Sequence, residues 1–369
     1  MESYDTILCD LIRIRTDTES DPKTDPLVDY ITDILQKNNI VFTSIPTPNN
    51  LKKNILACIN VNSLHDINDG IILSGHMDTV GASLSEWKSD PFIPERKGND
   101  IYGRGTVDMK QFIAIVLALL PQLKQFQIPI FFSFTCDEET DDLGIQQIIK
   151  YFKEHNIQPR YALVGEATNF NLYVGHRGYI GFQTIIDGVS GHAGSPERGT
   201  NAVYIGAKFI SKIESLNQIY ASQGTTLNVG IASGGIERNS IPARSIIDWE
   251  LRCCCQDHQT AIIDEINRFI EELRSQYPNG KITIEKKETL YVFEEKSDSP
   301  LTAKAEQILG TKRMHCSFAS EAGFFQTQGI DTLICGPGFP ELAHSSSEHI
   351  SIQDLDKYAK FLIDLIKQL

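Results

Sequence analysis

The chain has 369 residues, more than one domain of about 100 to 200 residues usually holds, so one large or two ordinary domains are predicted. Hydrophobic residues make up 41% and charged residues 22%, the composition of a folding globular protein rather than a disordered or collagen-like one. A net charge of −14 repels phosphate backbones and anionic lipid surfaces, which argues against nucleic-acid and membrane partners.

In chain order, apolar segments at residues 54–60, 70–74, 128–135 and 161–165 read as strands, with helical patterns after Asp108 and Asp141. The longest unbroken apolar run, Phe112 to Leu120, is about half of what a bilayer crossing needs. Acidic residues near the start, Asp5 and Asp10, stand where a signal peptide carries basic ones, so a cytoplasmic protein is predicted. This first stretch reads as α/β with a mostly parallel sheet.

After Glu166 the texture changes. Residues 172–186, 226–232 and 243–252 read as antiparallel strands, with helical patterns at 201–216 and 256–276 between them. From residue 297 the α/β pattern returns, with a buried strand at 332–335 and a closing amphipathic helix at 351–369. The predicted organisation is a catalytic domain (residues 1–177 and 285–369) interrupted by an α+β lid or dimerisation domain (178–284).

The eight cysteines are spread along the chain, three of them consecutive (Cys253, Cys254, Cys255). With no C-x-x-C pair, they read as reduced core fillers rather than as a thiolate metal site or redox centre. His65, His155, His258, His315 and His349 carry no partner signature and are assigned no role. No G-x-S-x-G, H-E-x-x-H, P-loop or G-x-G-x-x-G string occurs, which removes the main support for serine-hydrolase, zincin, kinase and Rossmann readings.

The acids and the other histidines fall in a pattern. His76 ends the run Ile71-Ile72-Leu73-Ser74-Gly75, Glu138 and Glu139 follow Phe131 to Thr135, Glu166 follows Ala162 to Gly165, and His344 follows Leu333-Ile334-Cys335. All lie just past the carboxyl ends of apolar strands, the edge of an open α/β sheet where ligands bind. Carboxylates crowded there repel unless positive charge joins them, from a metal or from nearby Lys and Arg, and Asp137 to Asp142 taken alone also reads as an exposed acidic loop capping the next helix. With the other motifs absent, metal-assisted hydrolysis by scattered carboxylate and imidazole ligands is predicted. Asp78, two residues past His76, is placed to hold the ring nitrogen that faces away from a metal.

The strings Ser74-Gly75-His76-Met77-Asp78-Thr79-Val80, Tyr102-Gly103-Arg104-Gly105-Thr106-Val107-Asp108-Met109-Lys110, Asp137-Glu138-Glu139 and Val164-Gly165-Glu166-Ala167-Thr168 resemble the two-zinc amidohydrolase and peptidase family. Ser190 to Ala202, Thr226 to Gly230, Ser320-Glu321-Ala322 and Gly336-Pro337-Gly338 are most similar to its acetylornithine deacetylase branch. Gln111 and Ala167 depart from the family pattern, where glycine and proline are usual.

The resemblance implies two Zn²⁺ ions, with Co²⁺ as a substitute, one held by His76, Asp108 and Glu166 and the other by Asp108, Glu139 and His344. Two such ions and three carboxylates leave one positive charge for a bridging hydroxide, a neutral cluster. It implies that Glu138 is the proton shuttle, that Asp78 supports His76, and that His192 stabilises the oxyanion, often from a partner subunit. It implies that Asn239, Arg252 and the backbone of Gly336 and Gly338 hold the substrate carboxylate, and that the Asp108–Met109 peptide is cis. The implied reaction is hydrolysis of an N-acyl amino acid, foremost N²-acetyl-L-ornithine, by a homodimer paired through the inserted domain. The alternatives are N-acetylcitrulline, succinyl-diaminopimelate, an acyl-lysine or a dipeptide as substrate, or a non-catalytic binding protein on the same fold.

Overall fold

A computed structural model describes residues 3–18 and 25–369, which form two compact units. The first comprises the described residues up to Gly175 with Glu295–Cys316 and Ser320–Leu369, and the second His176–Glu294 with Ser317–Ala319.

The chain opens with helices α1 (Tyr4–Arg13) and α2 (Asp25–Lys37) and strands β1 (Val41–Pro46), β2 (Lys53–Ile59) and β3 (Ile71–His76). The short pair β4 (Glu95–Lys97) and β5 (Asp100–Tyr102) precedes α3 (Lys110–Leu123), β6 (Ile130–Thr135), α4 (Leu143–Glu154), β7 (Tyr161–Val164) and β8 (Leu172–Gly175). The second unit holds β9 (Gly178–Asp187), β10 (Gly191–His192), α5 (Ala202–Tyr220), β11 (Thr226–Gly234), β12 (Ser240–Ile241), β13 (Arg244–Cys253), α6 (Gln256–Gln276) and β14 (Lys281–Leu290). The chain then completes the first unit with α7 (Pro300–Leu309), β15 (Arg313–His315), α8 (Ala322–Thr327), β16 (Asp331–Ile334), β17 (His349–Ser351) and α9 (Ile352–Ile366).

In the first unit an eight-stranded sheet runs in the order β1-β2-β6-β3-β7-β16-β8-β15. Its middle, β6-β3-β7-β16, is parallel throughout. Strands β3, β6 and β7 are buried along their whole length, which is why they read as mostly apolar runs instead of alternating ones. Helix α3 is buried on nearly every face, packed among α1, α9 and the sheet.

Two glycines allow that helix to sit low on the sheet. Gly75 ends the apolar run of β3 and Gly165 follows β7, and the Phe112 ring of α3 lies over both. A Cβ at Gly75 would come within 3.1 Å of that ring, and one at Gly165 would collide with it. Each glycine immediately precedes a polar residue of the sheet edge, His76 or Glu166. The close approach therefore brings the segment leading into α3 down beside those two side chains.

The second unit is a four-stranded antiparallel sheet in the order β11-β13-β9-β14. Its core joins Ile186, Trp249 and Leu251 of the sheet to Phe209 and Ile213 of α5 and Ile262, Ile266 and Ile270 of α6. Asn201 caps α5 by accepting from the Val203 and Tyr204 amides. The stretch 172–186, predicted as one strand, divides between the sheets as β8 and β9. The second unit also extends past the predicted boundary at Ile284 to Glu294, because β14 pairs along β9 as far as Leu290↔Tyr179.

Substituting Gly165→Ala should displace the fully buried Phe112 and cost about 1–3 kcal/mol, the usual range for overpacking a filled core. Chemical denaturation checks this. A variant as stable as the parent would show that the approach of α3 is not fixed by that contact.

Candidate metal centre

His76 at the end of β3 and the loops that follow β6, β7 and β16 bring their polar side chains to Asp108, which stands in the turn into α3. One oxygen of that carboxylate, Oδ1, lies 2.9 Å from His76 Nε2. The other, Oδ2, lies 3.2 Å from His344 Nε2. Glu166 Oε1 is 3.6 Å from His76 Nε2, and both Glu139 oxygens are 3.2 Å from His344 Nε2. Asp108 is thereby shared between two sets, His76–Asp108–Glu166 and Asp108–Glu139–His344, each with its ligand atoms within 4.8 Å of one another. Glu138 belongs to neither set; its Oε2 lies 3.9 Å from His76 Nε2.

The electrostatics of this cluster are those of a site short of positive charge. Burial pushes the Glu166 carboxyl up to about 8, with the Asp108 charge adding to the effect. Burial likewise holds Glu138 well above the ordinary carboxylate range; His76 opposes the shift, and Glu166 and Glu139 add to it. Burial would lower His76, but Glu138, Asp108 and Glu166 overcome it and raise the imidazole well above its ordinary value. Hydrogen bonds to Asp108 and Glu139 raise His344 to about 10. Asp108 stays ionised despite its burial because both imidazoles bond to it, and its pKa is lowered.

The donor set fits two divalent cations. Each set offers one imidazole nitrogen and two carboxylate oxygens, the ligands borderline ions such as Zn²⁺ take, and the shared carboxylate can join two ions. Positive charge at these positions would also offset the burial and the carboxylate repulsion that raise Glu138 and Glu166.

The surroundings depart from sequence expectation at two points. The ring nitrogen Nδ1 of His76 bonds to the backbone carbonyl of Asp78 at 2.9 Å, while the Asp78 carboxylate stands 3.7 Å away. One Asp78 oxygen accepts instead from the Glu139 amide at 3.1 Å, and the other is buried without a partner. Asp78 thus orients both His76 and Glu139, the first through its main chain. The Gly336 amide donates to Thr168 Oγ1 at 3.2 Å, and its carbonyl accepts from the Thr168 and Phe170 amides, each at 3.3 Å. Its hydrogen bonds lock the segment that follows Glu166, so the Gly336 amide is engaged within the fold and is not a free donor for substrate. Gly338, at φ 91°, accepts the Asn169 amide at 2.7 Å and completes that lock.

The other residues singled out from the sequence belong to the second unit. His192 pairs with Ser240 across β10 and β12, and the Asn239 carbonyl accepts from the Ala193 amide at 3.0 Å, so these two lie together. Arg252 stands near the opposite end of β13, ion-paired with Glu250 at 3.0 Å and over the Tyr179 ring.

Sequence reasoning missed Glu348. Fully buried, it accepts through Oε1 from the amides of Gly105, Val107 and Asp108, at 3.0, 2.8 and 3.1 Å. Its Oε2 pairs with the buried Arg104 at 2.6 Å. This one carboxylate holds the whole loop that presents Asp108, and the Asp108–Met109 peptide within it is cis. Its partner Arg104 was in view in the Gly103-Arg104-Gly105 string, but nothing local pointed to a carboxylate 244 residues away. Also missed was a row of acids behind the cluster: Asp142, raised by burial to about 9, and Glu321, raised by burial to about 7 and bonded to Ser74 at 3.1 Å. Gln111, where the family pattern has glycine, ties the same loop to the next turn by donating to the Val107 carbonyl at 2.6 Å.

Removing Glu348 by Glu348→Ala leaves Arg104 as an unpaired buried charge and strips three amides of their acceptor. Unfolding by denaturant should show a loss of about 3–5 kcal/mol. A change below 1 kcal/mol would mean that water replaces the carboxylate without penalty.

Residues 72–368 match the family model described as peptidase family M20/M25/M40. The chain is 32% identical to an acetylornithine deacetylase of Pectobacterium carotovorum, over 88% of this chain and 84% of that protein. Its fold is similar to that of aminopeptidase PepT from Bacillus cereus, with a TM-score of 0.74 and 20% identity over 99% and 97% of the two chains. It is also similar to the YXEP protein of Bacillus subtilis, a dinuclear metal binding peptidase, with a TM-score of 0.65 and 13% identity over 98% and 96%. The chain belongs to peptidase family M20/M25/M40 and is a metal-dependent hydrolase.

Proposed function

We propose that the protein hydrolyses the amide bond of an N-acyl amino acid, foremost N²-acetyl-L-ornithine, with two zinc ions held by His76, Asp108, Glu139, Glu166 and His344. The observation that carries the reading is the sharing of Asp108 between two imidazole–carboxylate sets while Glu138 stands beside His76 and belongs to neither set. The identity to acetylornithine deacetylases over most of the chain supports the choice of substrate. A cytoplasmic setting suits such an enzyme, and no helix among the described residues is long and apolar enough to cross a membrane.

Bound cations would supply Lewis-acid polarisation of the scissile carbonyl and ease the deprotonation of water. The chain's own residues do the rest. Glu138 takes the proton of the attacking water and returns it to the departing amine, and its elevated pKa suits a group that must hold that proton between the two events. His192 Nδ1 accepts from the Gly194 amide at 3.0 Å, so in the neutral ring Nε2 carries the proton and is the donor offered to an oxyanion.

We infer further that His192 and Asn239 serve one active site and Arg252 another. Eight residues of extended strand separate Arg244, beside the His192–Asn239 loops, from Arg252, about 26 Å at a rise of ~3.3 Å per residue. One amino-acid carboxylate cannot touch both ends. A homodimer resolves this, each subunit lending His192 and Asn239 to its partner. Tyr204 and Ile219 of α5, Ile231 on the edge strand β11 and Ile236 are apolar and exposed, a surface suited to pairing two copies.

Assay of the zinc-loaded protein against N-acyl amino acids and dipeptides tests the reaction. Acetylornithine should give the highest kcat/KM, and Glu138→Gln should keep its metal while kcat falls about 10²–10⁴-fold. Preferential cleavage of dipeptides would overturn the substrate assignment, and loss of metal from Glu138→Gln would make that residue a ligand.

Subunit exchange between inactive His192→Ala and Glu138→Ala chains tests the assembly. One site of each mixed dimer then combines an intact Glu138 with an intact partner's histidine, so activity should partly return. Demonstrated exchange without recovery would place His192 in its own chain's site.

A further inference from the structure

The three consecutive cysteines do not share one environment. They close β13 and lead directly into α6, so the chain turns sharply at this point. Cys253 is buried in the core of the second unit, as a core filler should be. Cys254 and Cys255 are only partly buried. His258 follows within the first turn of α6, and the helix brings its ring back over the two thiols. One ligating atom from each of Cys254, Cys255 and His258 lies within 4.8 Å of the others.

One ligand pair already has the separation that coordination requires. Cys254 Sγ and His258 Nδ1 are 3.5 Å apart. For a tetrahedral ion with metal–sulfur bonds of about 2.3 Å and metal–nitrogen bonds of about 2.0–2.1 Å, the edge between such ligands is about 3.5 Å. Tyr220 packs edge-on against the ring with centroids 5.0 Å apart, and the Thr225 hydroxyl lies 3.0 Å from Nδ1, a hydrogen bond that an ion on Nδ1 would replace. Cys254 is held in place, its amide donating to Thr225 Oγ1 at 3.1 Å and its thiol to the Gln223 carbonyl at 3.1 Å. That carbonyl, or a water, is available as a fourth ligand. The sequence pattern concealed all this because the motif is Cys-Cys-x-x-His on a strand-to-helix turn and contains no C-x-x-C.

We propose that Cys254, Cys255 and His258 form a metal site of the second unit that takes a thiophilic d¹⁰ cation, Zn²⁺ or Cu⁺. Two thiolates and one imidazole are soft and borderline donors, which select such ions over Mg²⁺ or Ca²⁺. Bound there, the ion ties the start of α6 and the end of β13 to the Gln223–Thr225 turn. The site is independent of the hydrolytic centre, whose candidate ligands are nitrogen and oxygen alone.

That difference in donors supplies the test. The reduced full-length protein, freed of metal and titrated with Co²⁺ without oxygen, should develop a near-ultraviolet sulfur-to-cobalt charge-transfer band at one equivalent per chain. Cobalt at the hydrolytic centre gives none. The double variant Cys254→Ser/Cys255→Ser should lose the band and His258→Ala should weaken cobalt affinity at least tenfold, with hydrolytic activity retained. Zn²⁺ should bleach the band, and transfer of Cu⁺ from a chromophoric chelator to the parent but not to the double variant separates the two ions. No band in the parent protein overturns the proposal whatever the variants do. So does a band that survives in the double variant.

Discussion

Carboxylates that share a buried site cannot all keep their charge unless something positive lies among them. Asp108, Glu138, Glu139 and Glu166 gather at one sheet edge around two imidazoles, and a row containing Asp78, Asp142 and Glu321 stands close behind. The consequence is visible in the individual groups: burial, with the neighbouring carboxylates adding to it, raises Glu166 and Glu138, while those carboxylates raise His76 and His344. Two divalent cations at the positions flanked by these groups would supply the positive charge. The arrangement reads as one maintained for ions.

Holding such a cluster together requires scaffold that does not depend on the ions. Two devices supply it. Phe112 lies over Gly75 and Gly165, so the residues next to them, His76 and Glu166, are brought to the segment that carries Asp108. Glu348 gathers the amides of that segment and is itself pinned by Arg104. Both devices link parts of the chain far apart in sequence, and neither touches the ligand atoms directly except through the Asp108 backbone.

Much of this was legible from the residues in order. The parallel core showed itself because β3, β6 and β7 are buried on both faces and therefore mostly apolar in character. The site showed itself because ligands at a strand's carboxyl end follow the strand in sequence, as His76 follows Gly75 and Glu166 follows Gly165. Glu348 was hidden because it acts on backbone amides, which leave no trace in side-chain identity. The division of 172–186 into β8 and β9 was hidden because an apolar stretch carries no mark of which sheet it joins. The Cys254–Cys255–His258 cluster escaped because its spacing depends on a strand-to-helix turn that only coordinates reveal.

Anomalous diffraction from crystals of the zinc-loaded protein tests the central claim most directly, because it locates the ions themselves. The account predicts two peaks about 3.5–4 Å apart, with Asp108 Oδ1 on the ion beside His76 and Glu166 and Oδ2 on the ion beside Glu139 and His344. A single peak, or two peaks that Asp108 does not bridge, would contradict it.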